Sequence, residues 1–245
     1  MLLLLGISSL ASLVASLVLG IRLLRLAART HGVPELAMGT GFIVGGFFGF
    51  LLILIGNPEA GSGLSAAVSE RLFRVGMSLL SVGVCCTYVF VWQTFRPHSP
   101  VALGLTLGAI AVILGSLQPV WTSPVKHALI DPIHLLGDAV RLGGMLWGSV
   151  EALRYYAAMR RRLALGLADP VVTNRLLLWG IAMAAGVIVT VTSVFMTISG
   201  MVEPDSWPYL VIGIFSFISP AAQWLAFFPP RVYCEWVESR AAGVA

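Results

Sequence analysis

"GDAVRLGGMLWGSVEALR", residues 137–154, is an apolar run that nevertheless carries Asp138, Arg141, Glu151 and Arg154. Its reading decides the helix count. The chain has 245 residues, 58% of them hydrophobic, and only 11% are Asp, Glu, Lys or Arg. A soluble domain carries about 25% charged residues. With a mean hydropathy of +0.93, most of this chain needs no water-facing surface, and the bilayer is its solvent. Four charges in one apolar run therefore need a reason.

Seven apolar segments are expected to be helices: 2–24, 36–56, 72–92, 101–120, 133–156, 176–196 and 207–228. Each suffices to cross about 30 Å of hydrocarbon at roughly 1.5 Å per residue. They are continuous runs without ten-residue alternation, so helices rather than a barrel satisfy the backbone in lipid. The expectation is an all-α seven-transmembrane-helix bundle over residues 1–230, with a short cytoplasmic tail at 231–245. In that tail Val232, Tyr233, Trp236 and Val237 cluster at the spacing of an interfacial helix. The N-terminal run has no basic residue before Arg22 and is long for a signal peptide, so it reads as the first span.

The net charge of +4 could suggest nucleic acid, but here the cations read as topology residues and no nucleic-acid partner is expected. Arginines 22, 25, 29, 96, 154, 160, 161, 162, 175, 231 and 240 fall on one side, 11 of the 15 cations. That side is expected to be cytoplasmic, with the N-terminus outside and the C-terminus inside. Outer loops then read "NPEAGSGLSAAVSE", "TSPVKHALI" and "VEPDSWP". Short loops and abundant Ala, Gly, Leu and Arg suggest a bacterial cytoplasmic membrane. The odd helix count suggests two three-helix halves joined by helix 4.

On a helical wheel Gly137, Arg141, Gly144, Gly148 and Glu151 share an arc of about 80°. Asp138 reaches Arg141 at i,i+3. This face should point into the bundle, with Gly144 and Gly148 admitting a close neighbour. Leu135, Leu142 and Leu146 face the other way. Asp138 lies ~8 Å and Arg141 ~12 Å below the outer boundary, too deep to reach water easily, whereas Glu151 and Arg154 approach the inner boundary and can snorkel.

Ser78 and Ser81 of helix 3, Thr190 and Ser193 of helix 6, and Ser216 of helix 7 sit at comparable outer-half depths. With Asp138 and Arg141 they form a candidate ligand site in an outward-facing polar cavity between helices 3, 5, 6 and 7. Arg141 would meet an anionic group and Asp138 would orient it. The competing reading is a static Asp138–Arg141 bridge, with the hydroxyls bonded to their own helix carbonyls. Pro220 should kink helix 7 and free a carbonyl near Ser216, and Gln223 follows in its inner half, so this pair is a candidate switch.

No catalytic motif is present. A Schiff-base pigment needs a membrane lysine, and the one lysine, Lys126, is in an outer loop. His127, Asp131, His134 and Asp138 offer only two ligands on one helical face, so neither a metal nor any other cofactor is expected. Cys85, Cys86 and Cys234 show no disulfide or zinc spacing. The leading expectation is a receptor or sensor for a small ligand, with a cytoplasmic protein partner on the basic side. A transporter using the same cavity comes second, and a structural subunit third.

Overall fold

A computed structural model describes residues 2–57, 63–200 and 206–242. Residues 58–62 and 201–205, parts of the first and third expected outer loops, lie outside the described residues. Every regular element described is helical. We label the long helices α1 (Leu2–Thr30), α2 (Val33–Gly56), α3 (Ala66–Phe95), α4 (Pro100–Thr122), α5 (Pro132–Leu163), α6 (Pro170–Ser199), α7 (Trp207–Phe227) and α8 (Arg231–Ala242). A single turn, Val125–Ala128, precedes α5.

Six of these, α1 to α4, α6 and α7, are long and apolar enough to cross a membrane. Leu3, Leu105, Leu107 and Ile198, among others, are largely exposed, as lipid-facing side chains are. The chain is therefore suited to be an integral membrane protein. At 32 residues, α5 is long enough to span, but its composition keeps it out of the six.

Local chemistry sets the helix starts. Asp131 and Asp169 each precede a proline at the first helical position, and their carboxylates accept from Ile133 N and Val172 N at 2.8 Å. Ser99 caps α4 in the same way. Where α1 stops, His31 takes a left-handed φ of 53°, and Gly32 leads into α2.

The α2–α3 contact is built on glycines. A Cβ on Gly45 would lie 2.7 Å from Gly83 Cα, and one on Gly49 would lie 2.7 Å from Leu80 N. Only glycine permits such backbone approach. Through Gly41–Gly49 the helix itself is widened to π geometry, and the Phe50 N–H reaches back to the Gly45 carbonyl.

Helices α1, α2, α3, α5, α6 and α7 form a closed ring, each packed on the next and α7 on α1. The remaining long span, α4, lies outside the ring in the groove between α3 and α5. On α5 the buried face comprises Gly137, Arg141, Gly144, Gly148 and Glu151, while Leu136 and Leu146 are exposed. Gly144 meets Tyr88 of α3, and Gly148 meets Met183 of α6. Around the ends of α1, α3, α5 and α7 lies the basic end of the bundle.

Candidate functional site

All six ring helices contribute to one cavity of about 290 Å³ at mid-depth. Its walls are mostly apolar, with Met38, Phe42 and Phe50 from α2, Leu80 and Val84 from α3, Met145 from α5, and Met183 and Val189 from α6. Polar atoms come chiefly from α1 and α7: Ser12, Ser16, Ser216, Ser219 and Gln223, with Thr87 opposite. Among the described residues no charged side chain lines it.

Both irregular helices border this space. Gly41, Gly45 and Gly46 of the widened α2 segment form one wall, and Pro220 of α7 another. Pro220 has no N–H to give the Ser216 carbonyl, and Ser12 of α1 donates to that carbonyl at 3.2 Å. Ser219 donates to the Ala182 carbonyl at 3.0 Å, and Gln223 Nε2 lies 3.4 Å from Ser219 Oγ. Thus α7, which runs unbroken through Pro220, is tied there to α1 on one side and α6 on the other.

Aromatic residues outside the cavity lining gather toward the basic end, packed on Met38, Phe42 and Met183 of its wall. Phe90 stacks on Trp179 with centroids 5.2 Å apart, and Trp179 meets Phe227 edge-on at 5.5 Å. They pack against Leu19, Leu23, Met38 and Val91. Arg22 seals the α1–α7 seam: its guanidinium donates to the Phe227 carbonyl at 2.7 Å and sits 4.3 Å from the Phe228 ring centre.

Of the residues singled out in the sequence, Ser216, Pro220 and Gln223 line this cavity. Asp138 and Arg141 do not. They lie between α5, α3 and α4, with Arg141 Nη1 2.7 Å from Asp138 Oδ1 and Nη2 donating to Ser81 and Ser116 at 3.0 Å each. Buried His134 joins this group, 3.3 Å from the Ser116 carbonyl through Nδ1 and 3.8 Å from Asp138 through Nε2. Gly137 exists because the Ser116 side chain occupies the place of its Cβ.

Ser81 therefore meets Arg141, while Ser78 accepts from the Trp121 indole. On α6, Thr190 and Ser193 both donate to carbonyls of their own helix, Gly186 and Val189. Thr190 also approaches Met145 Sδ at 3.9 Å. The seven proposed ligand-binding residues are thus spread over four places: the Arg141 network, the α3–α4 contact, α6 outside the cavity lining for Thr190 and Ser193, and the cavity wall for Ser216 alone.

At the basic end, buried Glu151 pairs with Arg96, whose Nε and Nη2 lie 3.0 and 2.9 Å from Oε1. Arg154, by contrast, is exposed. Sequence reasoning missed the Arg96–Glu151 pair, since the partners are distant in the chain. It also missed Ser12 and Ser16, although they occupy one face of α1 at mid-depth. Gly41, Gly45 and Gly49, spaced by four, were the available signal for the α2 wall. Among the described residues no group of three or more His, Cys, Asp and Glu side chains could hold a metal.

The chain matches no known family model, no curated protein sequence and no solved structure.

Proposed function

We propose that the protein is a seven-span membrane receptor or sensor that binds a small, uncharged, largely apolar ligand in the central cavity. The observation that carries this is the convergence of all six ring helices on one cavity that has hydroxyl and amide groups on its α1–α7 side and, among the described residues, no charge. A cavity of about 290 Å³ is at the small end of ligand pockets. Lining atoms of this kind recognise a hydrocarbon body with one or two hydrogen-bonding groups.

α5 is the seventh span in this reading. Arg141 and Glu151 lower its apolar score, but both are buried and partnered. The cation bias sets the N-terminus outside and the basic end in the cytoplasm, in a bacterial cytoplasmic membrane. In this reading the ligand enters from the outer half, the side away from the Phe90, Trp179 and Phe227 cluster. Binding would shift the packing of α7 at Pro220 against α1, and a cytoplasmic partner would read that shift at the basic end.

A permease is the second reading. It is favoured by the widened turns of α2 and the proline of α7, both at the cavity, since transporters bind cargo at mid-depth beside helices with irregular backbone hydrogen bonding. The test is a thermal-shift screen of purified protein with small neutral amphipathic compounds, repeated on Val189→Trp, which fills the cavity from α6. Ligand shifts that vanish in Val189→Trp support the cavity. Shifts that persist there, or none in the wild type, contradict it. Uptake into vesicles then separates permease from receptor.

A further inference from the structure

A second cavity, of about 870 Å³, lies at the basic end between the last turns of α5, the first turns of α6, and α8. Arg160 and Arg161 of α5 and Arg240 of α8 line it, together with Asn174 of α6 and Trp236 of α8. No acidic side chain is among its lining residues. None of the three arginines has an ion-pair partner among the described residues. Arg240 instead lies over the Trp236 ring, 4.5 Å from its centre, and Asn174 is held by the Tyr233 hydroxyl at 2.6 Å.

Three exposed, unpaired cations around one cavity raise its positive potential and favour an anion there. Guanidinium groups match the paired oxygens of phosphate. The source of the phosphate follows from the position. Pro170, Thr173 and Leu177 of the lining belong to the first turns of an apolar span, so the cavity lies where that span leaves the hydrocarbon. Val232 and Trp236 expose apolar surface on α8 at the same level. Its volume exceeds what an inorganic phosphate needs and leaves space for a glycerol backbone.

We infer that this cavity binds the phosphodiester headgroup of an anionic membrane phospholipid, with Arg160, Arg161 and Arg240 on the phosphate and Trp236 at the headgroup level. The lipid would join α8, which already packs on α6 through Tyr233 and Asn174, to the last turns of α5. The site is independent of the central cavity.

The experiment uses the full chain in neutral detergent, titrated with dihexanoyl phosphatidylglycerol, dihexanoyl phosphatidylcholine and inorganic phosphate. Phosphatidylglycerol is expected to bind tightest. Arg160→Gln/Arg161→Gln/Arg240→Gln should weaken it roughly a hundredfold, given the usual contribution of each arginine near an anionic lipid. Arg25→Gln/Arg29→Gln, exposed at the same end but outside the cavity, should leave it unchanged. Ala157→Glu places a carboxylate in the cavity on an exposed helical position and should abolish binding while the protein keeps its thermal midpoint. Equal affinity in the triple variant and the wild type overturns the site. Equal affinity for the two lipids, or for inorganic phosphate and phosphatidylglycerol, overturns the anionic-lipid assignment.

Discussion

Ser12 of α1 donates its hydroxyl to the Ser216 carbonyl of α7 at 3.2 Å, the acceptor that Pro220 leaves without an intrahelical partner. The missing hydrogen bond in α7 is thus replaced from another helix rather than left open. Such a bond can be exchanged for one to a ligand at the same carbonyl, which gives the proline a use.

Replacing Ser12 by Ala should therefore destabilise the protein by about 1 kcal/mol. In a Pro220→Ala background the same change should cost close to nothing, because residue 220 then supplies the missing N–H. Reversible unfolding of the four proteins in mixed micelles measures this coupling. Equal costs in both backgrounds would show that Ser12 does not serve the carbonyl freed by Pro220.

The Asp138–Arg141 group should behave as a buried ion pair. Asp138→Asn removes the counter-charge and leaves the guanidinium with neutral acceptors alone, the amide oxygen and the Ser81 and Ser116 hydroxyls, and should cost about 2–4 kcal/mol. Arg141→Met combined with Asp138→Asn should recover most of that loss. If neither single change affects stability but ligand binding disappears, the pair belongs to a binding site instead.

Arg96→Ala should be worse than Arg96→Ala with Glu151→Gln. The single change strands a buried carboxylate, whereas the double change leaves a neutral amide beside Trp147. The difference should be about 1–3 kcal/mol, reduced from a fully buried pair because Arg96 is half-exposed. Denaturation midpoints of the single and double variants report it.

Gly45→Ala tests the α2–α3 approach. Its methyl would lie 2.7 Å from Gly83 Cα, where no side chain can move aside. A loss of about 1–3 kcal/mol is expected. Gly108→Ala on α4, where a Cβ meets nothing within 4 Å, is the neutral control.

The sequence and the structure agree best where one helix supplies the whole pattern. The buried face of α5 was legible because Gly137, Arg141, Gly144, Gly148 and Glu151 share an arc of one helix, and period alone finds such a face. The proline caps at Asp131 and Asp169 were legible for the same local reason. Where Arg141 points was not. Depth placed it among the hydroxyls of helices 3, 6 and 7, but depth does not say which neighbour stands beside it. Because α4 packs outside the ring against α3 and α5, Ser116 reaches Arg141, and helices 6 and 7 stay on the other side. The cavity was hidden for a related reason: its space depends on wall residues such as Gly46, Ala182 and Gly186, whose contribution is the volume they leave unfilled.

The most direct measurement is the reactivity of Ser216→Cys, in a protein with Cys85, Cys86 and Cys234 replaced by Ala, toward a membrane-impermeant thiol reagent added to each side of sealed vesicles. Labelling from the outer side alone is the expected result. No labelling from either side, or labelling from the basic side alone, would contradict a central ligand cavity loaded from outside.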